Sequence, residues 1–258
     1  MSPVIIQIGP LALRWSGLMY VAAVLVGVWL ATKEAQRKNL PITPDEIMNI
    51  GLVAMFSGIL GGRIYYVIFN WDFYGQNLWE IPQLWHGGLA IHGGLVGGFL
   101  AGFIYLKRHP VSTLAFADAA APSIMLGQVF GRFGNFMNGD AHGIPTTAPW
   151  GVVFPAASIA GRQYPGLPIH PVMLYELALN LVWFLILRRL RLTNHRSGYI
   201  FCLYFVLYSL GRAAVSGFRA DSLWLGPVRA AYVASAALIL IFGVVIVRYR
   251  LWEGEPAE

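Results

Sequence analysis

Apolar residues gather into long runs separated by short polar stretches, and the runs predict seven spans at 11–32, 47–69, 87–106, 111–130, 170–187, 198–215 and 228–247. Each is close to the roughly 20 residues that a helix needs to cross about 30 Å of hydrocarbon. The fourth run is the weakest, because Asp118, Pro122 and Gln128 interrupt it. Proline is tolerated in a span when neighbouring helices satisfy the freed carbonyl. A six-span alternative makes 111–130 re-entrant.

Basic residues orient the spans. Lys33, Arg37 and Lys38 follow the first, Lys107 and Arg108 the third, Arg188, Arg189, Arg191 and Arg196 the fifth, and Arg248 and Arg250 the seventh. These alternate loops are expected to be cytoplasmic. The N-terminus is then outside and the C-terminus cytoplasmic, which requires an odd number of spans. The remaining seven basic residues are all arginine: Arg14, Arg63, Arg132, Arg162, Arg212, Arg219 and Arg229. They fall in or beside the outer halves of spans, against the usual bias. A guanidinium keeps its charge in low dielectric and its planar fork matches phosphate. Outward arginines therefore point to an anionic ligand. The plain alternative pairs them with Asp118, Asp140, Glu176, Asp221 and helix carbonyls, but these acids are too few for all seven.

Composition agrees: 57% of residues are hydrophobic and 12% charged, against about 25% charged in soluble domains. The expected fold is all-α and polytopic, one integral membrane domain over 1–258 with a small outer head. Met1–Pro10 lacks the basic start of a secretory signal, so the first helix is expected to be retained. The lone Cys202 excludes an intrachain disulfide and a cysteine-cluster metal site. Residues 70–86 carry Trp71, Trp79 and Trp85 without Lys or Arg, which suits an interfacial segment. The Pro- and Gly-rich stretch within about 140–169 is expected to cap a site. The tail 253–258, with three glutamates, is expected to fray.

Four elements carry candidate chemistry. His92 stands several residues into the third run among glycines spaced for close helix approach; it is a satisfied structural group or a proton carrier. In Gly131–Gly143, glycines are expected to break the helix and release N–H groups for an anion nest. Arg132, Asn135 and Asn138 would share one face if the helix continued. Tyr208 and Arg212, four apart, share a face of the sixth span. Glu176, in His170-Pro-Val-Met-Leu-Tyr-Glu, is read as a buried arginine partner. Phosphate-loop, nucleophile-elbow and metalloprotease motifs are absent. No metal, cofactor or nucleic-acid partner is expected.

With these residues in view, the chain resembles the bacterial phosphatidylglycerol–prolipoprotein diacylglyceryl transferases over nearly its whole length. The resemblance rests on Ile8-Gly-Pro10, Arg14–Tyr20, Gly61-Gly-Arg-Ile-Tyr-Tyr66, His92-Gly-Gly-Leu95, Gly131-Arg-Phe-Gly-Asn-Phe-Met-Asn138, His170–Glu176, Arg212 and Phe218-Arg219. It implies a seven-helix inner-membrane enzyme with a small periplasmic head. Its partners would be phosphatidylglycerol, lipobox-containing preprolipoproteins and membrane lipids. It also singles out His92, Arg132, Asn135, Asn138, Tyr208 and Arg212. Asp140 and Gly143 complete the expected substrate-binding set. This chain departs from the usual family residues at Ser16 (tyrosine), Asp140 (glutamate) and Ser216 (glutamate). The expected chemistry has Arg132 and Arg212 holding phosphate, Asn135 and Asn138 orienting the headgroup, and His92 as base. The rival readings are a lipid or anion transporter and an inactive lipoprotein-binding paralogue.

Overall fold

A computed structural model describes residues 3–8 and 11–254. Gly9 and Pro10 of the N-terminal match, the first two residues, and Glu255 to Glu258 of the acidic tail lie outside them. Two compact units form, one of residues 32–116 and one of 1–31 with 117–258.

In the larger unit, a hairpin of β1 (Val4–Ile8) and β2 (Leu11–Arg14) leads into α1 (Trp15–Arg37). The first span therefore starts at 15, because 11–14 is spent on strand pairing. In the smaller unit, α2 (Pro44–Phe69) opens on a full capping box. Thr43 accepts from the Glu46 N–H, and the Glu46 carboxylate accepts from the Thr43 N–H at 2.7 Å. A one-turn α3 (Trp71–Tyr74) and two 3-10 turns precede α4 (Ile91–Leu106). Gly87 and Gly88 hold φ of 84° and 79°, so the helix begins at 91 rather than 87.

Glycine decides how α2 meets α4. A Cβ at Gly61 would lie 2.5 Å from the Gly93 carbonyl oxygen, and one at Gly97 would lie 2.5 Å from that of Ser57. The backbones touch directly, as small residues allow between membrane helices. Arg63 is buried and donates to the carbonyls of Glu80, Ile81, Gln83, Gly87 and Gly88. It staples the Trp-rich connection rather than awaiting a ligand, and Trp79 and Trp85 stand exposed on that connection.

The larger unit continues with α5 (Thr113–Asn138), which runs through Pro122, Gly131 and Gly134. The expected break at 131 does not occur. These N–H groups sit inside a helix, so the anion nest is ruled out there. The helix ends only where Gly139 takes φ of 68°. After a one-turn α6 (Ile159–Gln163) come α7 (Val172–Leu190), α8 (Tyr199–Ser216), the ribbon of β3 (Trp224–Leu225) and β4 (Val228–Arg229), and α9 (Ala230–Arg248). Asp118, an expected arginine partner, instead accepts from the N–H groups of Gly198 and Phe201 at 2.8 Å each, capping α8.

Seven helices of 16 residues or more among the described residues overlap the seven predicted runs. Among the described residues, α1, α2, α5, α8 and α9 are long and apolar enough to cross a membrane, and α4 is a shorter apolar helix. The chain is a multi-pass membrane protein.

Gly97→Leu should destabilise the smaller unit by about 2 kcal/mol through overpacking against the Ser57 carbonyl, read as a lower unfolding temperature in detergent.

Candidate functional site

One carboxylate organises the larger unit. Glu176 lies on the first turns of α7, just after Pro171 and buried at 4% exposure. Arg132 of α5 reaches it through Nε at 2.7 Å from Oε2. Arg212 of α8 donates from Nη1 to Oε1 at 2.7 Å. Arg219, in the turn after α8, donates from Nη1 to both oxygens at 3.2 and 3.1 Å. A buried charge is tolerated only with such partners. Arg219 also forms a two-pronged pair with Asp221, Nε to Oδ1 at 2.9 Å and Nη2 to Oδ2 at 2.6 Å. Burial opposes the charge on Arg219, but Glu176 and Asp221 outweigh it and raise its pKa above the ordinary arginine value.

Charge within this group does not balance. Arg132, Arg212 and Arg219 face Glu176 and Asp221, which leaves one positive charge. Arg132 and Arg212 are also the more open of the three arginines, with side chains 20% and 24% exposed against 5% for Arg219. Among the described residues Arg212 shows no second partner. Arg132 adds only a long donation to Asn135 Oδ1 at 3.4 Å. Both therefore keep N–H groups without a partner among the described residues.

Because α5 continues past 131, Arg132, Asn135 and Asn138 do share a face. Asn135 donates from Nδ2 to Asp140 Oδ1 at 2.6 Å. Asn138 Oδ1 is buried without a hydrogen-bond partner among the described residues. Asn135, Asn138 and Asp140 line a small recess of about 40 Å³ with Ser16 and Tyr20 of α1. Gly134 lets α1 approach, since a Cβ there would lie 3.4 Å from Ser16 Cα.

The cap over residues 140–169 is pinned beside this group. Gly143 pairs with Arg219 in an antiparallel bridge, and the Ile144 N–H donates to the Phe218 carbonyl at 2.9 Å. A Cβ at Gly143 would press on the His170 and Phe218 carbonyls, which accounts for glycine there. Gly143 thus positions the Arg219 segment by its backbone. Buried His142 meets Gln163 at 2.8 Å (Nε2 to Oε1), tying α6 to the same strand-like segment. Tyr208 stacks on Tyr204 with centroids 6.2 Å apart, and Gln128 donates to the Tyr204 hydroxyl at 2.7 Å.

His92 belongs to the smaller unit. It is the second residue of α4, not several residues into a span, and it is exposed beside Tyr65, ring centroids 6.1 Å apart. The other outward arginines serve structure: Arg162 donates to the Ala157 carbonyl at 2.7 Å, and Arg229 to those of Ser216 and Arg219. Arg14 is exposed at the hairpin end. The expected site left out Arg219 and Asp221, although Arg219 was one of the seven outward arginines and Asp221 and Glu176 were among their possible acid partners; the structure makes Asp221 the second acid of the group and Arg219 the third cation on Glu176.

Fold and site together define a multi-pass membrane protein with three arginines gathered on one buried glutamate, and a small polar recess on the same face of α5. Comparison with known proteins narrows this. The sequence model of the prolipoprotein diacylglyceryl transferase family matches residues 3–248. A phosphatidylglycerol–prolipoprotein diacylglyceryl transferase of Bacillus cereus (strain G9842) is 43% identical over 255 residues, covering 98% of this chain and 94% of its own length. One of Bacillus anthracis (strain CDC 684 / NRRL 3495) is 42% identical over the same shares. The chain belongs to the prolipoprotein diacylglyceryl transferase family.

Glu176→Ala leaves three guanidinium groups facing one another. It should cost about 3 kcal/mol or more, with Glu176→Gln intermediate, measured as unfolding of the purified protein.

Proposed function

We propose that the protein moves the diacylglyceryl group of phosphatidylglycerol to the lipobox cysteine thiol of a preprolipoprotein, the first step of lipoprotein maturation. Family membership supports the activity. The observation that carries the chemistry is that Arg132 and Arg212 share Glu176 while both retain free N–H groups.

The reaction forms a carbon–sulfur bond at the glyceryl carbon and breaks the carbon–oxygen bond to phosphate. Glycerol phosphate departs with the electron pair. Two forks already held around a carboxylate are arranged to take the growing negative charge on that phosphate without reorganising. Being arginines, they need no change of protonation. Asn135, Asn138 and Asp140 orient the headgroup within the polar recess, and Tyr208 lines the approach to Arg212. Gly143 acts through the placement of Arg219. A free thiol with a pKa of about 8.5 is mostly protonated at neutral pH. His92 is the proposed acceptor of its proton, on the grounds that imidazole titrates near neutrality.

The enzyme works in the bacterial cytoplasmic membrane as one integral domain over 1–258, with seven spans. Its N-terminus and cap are outside and its C-terminus is cytoplasmic. The Lys and Arg distribution supports this orientation.

Incubation of purified protein with phosphatidylglycerol and a lipobox peptide should add a diacylglyceryl mass to the peptide. Arg132→Ala should lower kcat about 100-fold, the cost of removing one charge-stabilising donor, with the protein still in the membrane. Near-normal thioether formation by that variant would overturn the assignment. His92→Ala should lower the rate of thioether formation by about 100-fold, the scale of a lost general base; a rate near that of the parent removes His92 as base.

A further inference from the structure

The ribbon between α8 and α9 is a lipid-facing element with a built-in connection to the guanidinium group. From Leu223 to Val228 the chain has no charged residue, and Leu223, Trp224, Leu225 and Val228 are 43–70% exposed. A soluble surface rarely presents such a patch. What covers it follows from its neighbours. Strand β4 runs directly into α9, a span with mean hydropathy 2.6 whose apolar window is only 6% buried. The lipid-covered surface of α9 is therefore continuous with the ribbon. The turn is Gly226-Pro227 with Gly226 at φ 59°, which closes a tight two-residue hairpin and holds the four apolar side chains at its tip.

The connection is Arg229. It stands opposite Trp224 in the ribbon register, and its guanidinium carbon lies 5.2 Å from the Trp224 ring centre. The same guanidinium donates to the Ser216 and Arg219 carbonyls and to Ser222 Oγ at 3.3 Å. One end of this side chain's contacts is an exposed indole. The other end is the turn that carries Arg219 to Glu176.

We propose that the Leu223–Val228 ribbon dips into the headgroup–acyl boundary of the leaflet on the side of the Glu176 cluster, and that Arg229 couples this immersion to the placement of Arg219. Tryptophan suits that depth, with an apolar body and a polar N–H. The partner is the lipid surface itself, not a protein. The element concerns lipid engagement, so it rests on the proposed function only for its kinetic arm.

The depth arm needs no turnover. Cys202 is the only cysteine and is buried, so L225C in the full-length protein offers one accessible thiol for a fluorescent label. In phosphatidylglycerol vesicles, lipids carrying a spin label high on the acyl chain should quench it strongly and aqueous iodide weakly. Strong iodide quenching with no lipid quenching overturns the immersion. In the kinetic arm, W224A removes the stacking partner of Arg229. It should raise KM for phosphatidylglycerol about fivefold, the scale of one cation–π contact, with kcat within a factor of two. W224F should restore most of the loss. An unchanged KM overturns the coupling, whereas absence of transfer in the parent protein would instead overturn the proposed function.

Discussion

A negative charge held inside the larger unit is the constraint on which the rest depends. Glu176 cannot stay ionised at 4% exposure without cations, and the three that satisfy it come from three chain segments. That requirement brings α5, α7, α8 and the turn after α8 to one point. The cluster is a folding contact and a chemical tool at once. The carboxylate spaces the guanidinium groups, and three arginines against two acids leave one positive charge unmatched.

Around that point the structure separates residues that form the cluster from residues that hold it in place. Gly143 contributes backbone and the absence of a Cβ rather than a ligand contact. His142 and Gln163 fasten the cap to the strand beside Arg219. Asp221 takes the outer side of Arg219 and lets a buried arginine remain charged. Seven outward arginines looked like one population. They are not one, since Arg63, Arg162 and Arg229 cap carbonyls, Arg132, Arg212 and Arg219 converge on acid, and Arg14 stands exposed at the hairpin end.

The helices were legible in the sequence because twenty apolar residues in a row have one economical solution in lipid. Their ends were less so. Strand pairing moved the start of α1, and two positive-φ glycines moved the start of α4. The largest misreading concerned Gly131 and Gly134. Glycine in a water-exposed helix weakens it, but a membrane helix keeps its hydrogen bonds and uses the missing side chain for approach. Gly134 does so against Ser16. Arg132, Arg212 and Glu176 were visible as charges out of place. Their convergence was not, because 36 residues separate Glu176 from Arg212 and a sequence carries no measure of that distance.

The pairing of α5 with α8 repeats at three heights. Asp118 caps the start of α8, Gln128 reaches Tyr204 midway, and Arg132 meets Arg212 through Glu176 at the far end. Two rods riveted at several levels cannot slide or splay independently. The gap between the two forks is then fixed by helical rise and not by the thickness or fluidity of the surrounding bilayer. The arginines keep their spacing through bonds internal to the protein.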